Sequence, residues 1–317
     1  MGLIGIRAAK IPSQIAFKRR SRLVNREAFW GWFFIAPWII GFMVFTLGPM
    51  VASLWLSLTD YELITPPRWI GLKNYINLFT ADRLFRLSLY NTTYYVLFSV
   101  PLGIIFAFAL SLLLNVKLSG MNFFRTVFYL PSVTSGVAVS LLWIWLFNPQ
   151  FGLINYLLRS IGLPTPGWLV DPKWAKPAFI LMSLWGVGST AVIFLAGLQG
   201  VPRGLYEAAE IDGASHWQRF WHITVPMMTP VIFFNLIMGM IGSFQVFTQS
   251  YIMTSGGPQD ATLFYVLYLF RQGFALLRMG YAAAMAWILF IIILILTLIQ
   301  LRLADRWVYY EGDMAKR

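Results

Sequence analysis

The residues able to do chemistry in this 317-residue chain are hydrogen-bonding side chains set in apolar surroundings. Ser183, Ser189 and Thr190 share one such stretch with Trp185 and Gly186, and Asn235, Ser243, Gln245, Thr248 and Gln249 share another. Amides and hydroxyls placed this way exchange hydrogen bonds with a polyhydroxylated ligand, and an aromatic face such as Trp185 stacks on the C–H side of a sugar ring. The same groups also serve as helix–helix hydrogen bonds, and the residues alone leave both readings open. Bond-making chemistry has less to work with. There is no G-x-x-x-x-G-K-[ST] phosphate loop, and His216 and His222 stand six apart outside any H-E-x-x-H frame. The chain has no cysteine, which excludes disulfides and thiolate metal sites.

The elements that must position these groups follow from composition. Hydrophobic residues make up 59% of the chain and charged residues only 11%, against about 45–50% and 25% for soluble domains. Six windows contain no Asp, Glu, Lys or Arg: 28–59, 87–116, 126–158, 177–202, 220–259 and 279–301. Each exceeds the roughly 20 apolar residues that span a bilayer as a helix, the structure that satisfies its own backbone in lipid. The expectation is an all-α integral membrane protein with six transmembrane helices near 30–57, 91–115, 125–147, 177–198, 226–250 and 281–303. They form one domain over 30–305, between a basic tail at 1–29 and a short tail at 306–317. No window holds a carboxylate, which argues against a proton-coupled carrier.

Basic residues orient the chain. With the N-terminus inside, fifteen of the 24 Lys and Arg fall on cytoplasmic segments and nine on outer ones. Lys18, Arg19, Arg20, Arg22 and Arg26 crowd before the first window. The net charge of +12 is therefore read as topology and attraction to anionic lipid, not as nucleic-acid binding. Outer loops are expected at 58–90, 148–176 and 251–280. The apolar stretch 262–280 carries Arg271 and Arg278, costly in a span, so it reads as an interfacial or outward-facing helix.

One inner loop, 202–226, is organised by itself. Val201 to Asp212 reads as a helix with Pro202 near its start, and Gly213 sits where that helix ends. Helical spacing resumes from Ala214 to Ile223, with Trp217, Phe220, Trp221 and Val225 as an apolar stripe. Glu207, Glu210 and Asp212 are exposed acids on an otherwise basic face. The run Glu207-Ala208-Ala209, then Gly213, then Ile223-Thr224-Val225-Pro226 resembles the E-A-A loop of binding-protein-dependent ABC importer permeases, with Val225 where that family usually has Leu. Further fragments resemble the carbohydrate-uptake branch of the family, which includes the upstream membrane subunits of maltose- and glycerol-3-phosphate-type transporters. They are Gly71-Leu72-Lys73-Asn74-Tyr75, Asn91-Thr92, Tyr129-Leu130-Pro131, Asn148-Pro149 with Gly152 and Asn155, and Thr254 with Gly256-Gly257-Pro258.

The resemblance implies the type I ABC importer permease fold with a cytoplasmic coupling helix. It implies that Glu207, Ala208, Ala209, Gly213, Ile223 and Pro226 dock a separate ATPase, with Glu207 meeting a basic or hydrogen-bonding group and Gly213 setting the bend. It implies partners: a second homologous permease subunit, two copies of the ATPase, an extracytoplasmic solute-binding protein and a sugar. No cofactor is expected on this chain; ATP and Mg belong to the ATPase. The location implied is a bacterial or archaeal plasma (inner) membrane, with both termini cytoplasmic. The resemblance to the maltose permease places substrate-pathway residues at Trp185, Gly186, Ser189, Gly239, Gly242, Ser243 and Val246, several of them glycine or valine here. Gln245 and Gln249 join them as polar groups of the fifth span. The alternatives are a self-contained channel or carrier and an intramembrane enzyme.

Overall fold

A helix that is apolar on every side has no polar face to turn to water, and helices of this kind dominate the chain. The computed structural model describes residues 22–116 and 118–309. Lys117 and the parts of the expected tails at 1–21 and 310–317 lie outside the described residues. The backbone divides between Ser53 and Leu54 into two compact units. α1 (Arg22–Phe42) passes through a wide turn at Met43–Leu47 into α2 (Gly48–Ser57), whose residues from Leu54 onward belong to the second unit. Gly48-Pro49, read from sequence as a kink or end point, follows that turn directly. The wide turn absorbs the irregularity, and the helix continues.

After the end of α2 the second unit continues with a two-stranded ribbon, β1 (Thr59–Asp60) against β2 (Arg68–Trp69), then α3 (Lys73–Thr80) and the long α4 (Arg83–Leu114). Next come α5 (Met121–Val133), α6 (Gly136–Leu146), α7 (Leu153–Ser160), α8 (Pro172–Trp185) and α9 (Gly188–Gly200). The inner loop read from sequence at 202–226 folds as α10 (Arg203–Ile211) and α11 (His216–Arg219) and leads into α12 (Val225–Phe244). α13 (Thr248–Met253), α14 (Tyr265–Phe270) and α15 (Met279–Trp307) complete the unit. α4 is its central helix, packed against α8, α9, α12 and α14.

Among the described residues, four helical segments are long and apolar enough to cross a membrane: Arg26–Ser57, Arg83–Leu114, His216–Met253 and Met279–Trp307. The number rises to six if each of two bent pairs counts as one span. The expected third window is one such pair, α5 and α6, which meet at 99°. Thr134 and Ser135 adopt extended backbone there, three and four residues after Pro131. The expected fourth window is α8 and α9, bent by 47°. Gly188 opens α9 where a Cβ would come 2.0 Å from the Phe128 carbonyl oxygen and 3.0 Å from Tyr129 Cα, so two backbones touch at this point. Backbone cannot yield as a side chain can. Gly188→Ala is expected to cost about 3 kcal/mol or more and to lower the yield of monodisperse extracted chain. Gly186→Ala, whose Cβ would meet only Ser183 O at 3.7 Å, is the matched control. Before α15 begins at Met279, the stretch 262–280 holds only the six-residue α14 and a wide turn at Arg271–Ala275, too short to span.

Buried asparagines and threonines tie the loops at the α3 end of α4. Asn74 donates to the Ser57 and Thr59 carbonyls, both at 2.9 Å. Asn91 donates to the Asp260 carbonyl at 2.8 Å, and the Thr92 hydroxyl accepts from Tyr265 N–H at 2.8 Å. Asn155 donates to the Pro166 carbonyl at 3.0 Å and accepts from Trp168 Nε1 at 2.8 Å. Asp82 caps α4 through Phe85 N–H and also accepts from the Tyr268 and Tyr281 hydroxyls at 2.6 and 2.7 Å. Burial first, then the hydrogen bond to Asp82, pushes the Tyr268 hydroxyl well above its ordinary range, so it stays a donor.

Candidate functional site: a docking elbow and a polar seam

The segment formed by α10 and α11 is an elbow whose corner is fixed by local hydrogen bonds. α10 ends in a left-handed glycine, Gly213, at φ +80°. The Gly213 N–H reaches the Glu210 carbonyl at 3.1 Å, and the Ala214 N–H reaches Ala209 at 2.8 Å. These are the two bonds of a Schellman ending, which satisfies the last carbonyls of the helix. Two residues on, Ser215 starts α11 with a reciprocal cap: its hydroxyl accepts from Gln218 N–H, and Gln218 Oε1 accepts from Ser215 N–H. The corner is therefore closed on both sides, with no slack residue except Ala214.

Longer ties fix the elbow to the bundle. Glu210 pairs with Arg219 across the corner at 3.4 Å, and the Tyr206 hydroxyl meets that of buried Thr224 at 2.9 Å. Ile223 packs onto the core cluster of Phe194, Leu198 and Met228. A wide turn at Phe220–Thr224 precedes Pro226, so the ring enters α12 without breaking the segment His216–Met253. Glu207 and Ala208 remain exposed, while Ala209 is half-buried and lines a hollow inside the elbow with Ile223. Of the expected stripe, Trp217 and Trp221 stand 72% and 59% exposed, and Phe220 turns inward onto Phe108. The elbow thus presents Glu207, Ala208 and two tryptophans outward on a rigid corner.

The second region is a seam along α4 and α8, bounded by α12 at one cavity and by α5, α6 and α13 at the other. One cavity, of about 160 Å³, is bounded by Ser99, Gly103, Ser183, Asn235, Gly239 and Ser243, among others. A second, of about 320 Å³, is bounded by Tyr95, Ser132, Thr134, Trp185, Ser189 and Gln249, among others. Ser183 and Gly186 line both. No charged side chain lines either one. Trp185 is half-exposed and held edge-on by buried Trp143, with ring centroids 6.2 Å apart.

Of the nine expected pathway residues, the seam brings together Trp185, Gly186, Ser189, Gly239, Ser243 and Gln249. It does not gather Gly242, Gln245 or Val246. Gly242 has nothing within 4 Å of a Cβ position, Gln245 is exposed at the end of α12, and Val246 is buried in a core cluster with Trp143 and Phe147. The face of α4 went unread: Tyr95, Ser99 and Gly103 recur every four residues and line the seam from the other side. That spacing was the available signal, though small residues at four-residue intervals also mark plain helix packing.

A bundle of long apolar helices with an exposed elbow and an uncharged polar seam suits a membrane transport subunit. Residues 99–309 match the family described as binding-protein-dependent transport system inner membrane component. The chain belongs to that family and is an integral inner-membrane permease. It is 46% identical over 298 residues to the probable ABC transporter permease protein YesP of Bacillus subtilis, covering 93% of this chain and 96% of the relative. It is 37% identical to the lactose transport system permease protein LacF of Rhizobium radiobacter, covering 85% and 92%. It is 33% identical to the trehalose/maltose transport system permease protein MalF of Thermococcus litoralis, covering 89% and 96%. Among solved structures, it superposes with TM-score 0.80 and 25% identity on a chain of a bacterial alginate ABC transporter in complex with alginate pentasaccharide-bound periplasmic protein. That match covers 91% of this chain and 98% of the other.

Proposed function

We propose that this chain forms half of the translocation pathway of an ATP-driven, binding-protein-dependent sugar importer and passes the motion of a separate ATPase to the pathway. The observation that carries the proposal is the elbow. A helix ended by a Schellman motif and followed at once by a capping box is a rigid lever, and it continues through Pro226 into α12, which lines the seam. Movement of α10 by a partner is thereby delivered to Asn235, Gly239 and Ser243.

In this reading α10 is the coupling helix, and Glu207, Ala208, Ala209, Gly213, Ile223 and Pro226 form or support the docking corner. Each bent pair is one span, which gives six, and both termini are cytoplasmic. The seam becomes a closed path when a second homologous subunit faces it. Two ATPase copies, which hold ATP and Mg, drive alternating access through their different contacts in the two states. The loops tied by Asn74, Asn91 and Asn155 receive the solute-binding protein. A lining without charge favours a neutral sugar, bonded by Ser183, Ser189, Ser243 and Gln249 and stacked on Trp185.

Gentle extraction of the tagged chain from its native membrane tests the proposal. Co-purification of an ATPase, a second permease subunit and a solute-binding protein is expected. A chain that purifies alone would favour a self-contained channel or carrier.

A further inference from the structure

A hollow of about 730 Å³ lies against the docking elbow, at the opposite end of α4 from Asn91. Its wall takes Asn115 from the end of α4, Arg125 from α5, Gln199 from α9, Arg203 and Tyr206 from α10, and Thr224. Two arginines thus line one cavity, and no Asp or Glu is among its lining residues.

The two arginines are differently prepared. Arg125 is held in place by the end of α4: its Nε and Nη2 donate to the Leu114 carbonyl at 3.3 and 2.9 Å. Its other terminal nitrogen has only a 3.5 Å contact to Asn122. Arg203 makes no hydrogen bond or ion pair among the described residues, although Glu210 on the same helix is paired with Arg219. The Tyr206 and Thr224 hydroxyls share a single hydrogen bond, so one of their two protons is left to donate into the cavity. The amides of Asn115 and Gln199 add further donors. Beside the apolar Leu112, Leu198 and Val201, these donors favour a compact, multiply charged acceptor, and a guanidinium fork matches the oxygens of a phosphate in pairs.

We propose that this cavity binds a phosphate-bearing ligand, gripped by Arg125 and Arg203. The volume far exceeds a bare phosphate, so the group arrives on a larger body: the headgroup of an anionic phospholipid or a soluble phosphate monoester. Arg203 and Tyr206 stand on α10, while Asn115 and Arg125 stand at the ends of α4 and α5, so a bound phosphate ties the elbow to the bundle. The site stands on this geometry alone. Its effect on the docking of an ATPase rests on the function proposed above.

The test uses the full chain with whatever partners extract with it, in phosphatidylcholine nanodiscs. One arm includes phosphatidylglycerol as a minor component and measures, by native mass spectrometry, the lipid retained after detergent exchange. The other omits it and follows thermal unfolding while inorganic phosphate is titrated against chloride at equal ionic strength, which separates binding from screening. Arg203→Gln disturbs no contact among the described residues and is the primary variant. Arg125→Gln, which also removes the α4 end cap, is the secondary one. Retention of phosphatidylglycerol by the wild type, reduced about tenfold or more in Arg203→Gln, identifies a lipid site; that is the scale of one lost charge-assisted hydrogen bond. A saturable phosphate-dependent shift, weakened by the same factor, identifies a soluble ligand. No response in either arm, or a response that Arg203→Gln leaves intact, overturns the proposal. Phosphate binding by a chain that carries no ATPase would leave this site standing and remove the docking role of α10.

Discussion

Gly213→Val is expected to strip the ATPase from the purified assembly while the chain itself still inserts and accumulates. The Gly213 backbone lies at φ +80°, a region where a β-branched residue is strained by about 1–2 kcal/mol. Nothing lies within 4 Å of its Cβ position, so the strain is purely conformational and no packing is lost. Relief comes by leaving the left-handed region, which breaks the Ala214-to-Ala209 and Gly213-to-Glu210 hydrogen bonds and swings α10 away from the capped start of α11. A cost of that size corresponds to roughly a 5–30-fold loss of co-purified ATPase. Gly200→Ala, also open around its Cβ but at ordinary φ, should keep the wild-type amount. Quantitative mass spectrometry of the affinity eluate makes the comparison. Equal ATPase in both variants would mean that the corner is not the docking element.

Ser183→Leu is expected to abolish uptake and leave the ATPase in place. Ser183 is the one hydroxyl that bounds both seam cavities; it donates to the Ile180 carbonyl one turn back on its own helix and also meets the Tyr95 hydroxyl across the seam. Leucine puts an apolar side chain at the wall the two cavities share and removes a hydroxyl acceptor from it. Transport of labelled sugar into proteoliposomes containing the assembled complex should fall by about tenfold or more, the scale of one lost hydrogen bond combined with steric obstruction. ATPase recovery should match the wild type. Unchanged uptake would move the pathway away from the seam without touching the docking reading.

These two experiments separate features of unequal legibility. The apolar windows were readable because a helix in lipid needs only length and absence of charge, and the helices Arg83–Leu114 and Met279–Trp307 cover their windows closely. The bends at Thr134–Ser135 and at Gly186–Val187 were not readable, because a helix that is apolar all round has no periodicity to interrupt. Gly213 was legible as a helix end. The capping box at Ser215 and Gln218 was equally local and equally available in the S-x-x-Q spacing. Asn91, Thr92 and Asn155 were marked only by resemblance. Their structural use could not be foreseen, since Asn91 and Thr92 hold backbone groups 169 and 173 residues away. The seam was half-legible: α8 and α12 advertised amides and hydroxyls, whereas α4 contributed small residues that look like packing. Gln245 and Val246 sit beyond the end of α12, where the chain turns and the helical register that would have aimed them at the seam is lost.

The absence of cysteine allows a single reporter thiol, and Glu207→Cys tests the docking claim most directly. Treatment of native membranes with a short thiol-to-amine cross-linker should join this position to the ATPase, giving one product whose mass is the sum of the two chains. Tyr90→Cys, exposed near the other end of α4, should give no such product. Cross-linking from position 207 only to lipid, to nothing, or to the protein captured from position 90 would contradict the account that α10 is where the motor meets the membrane path.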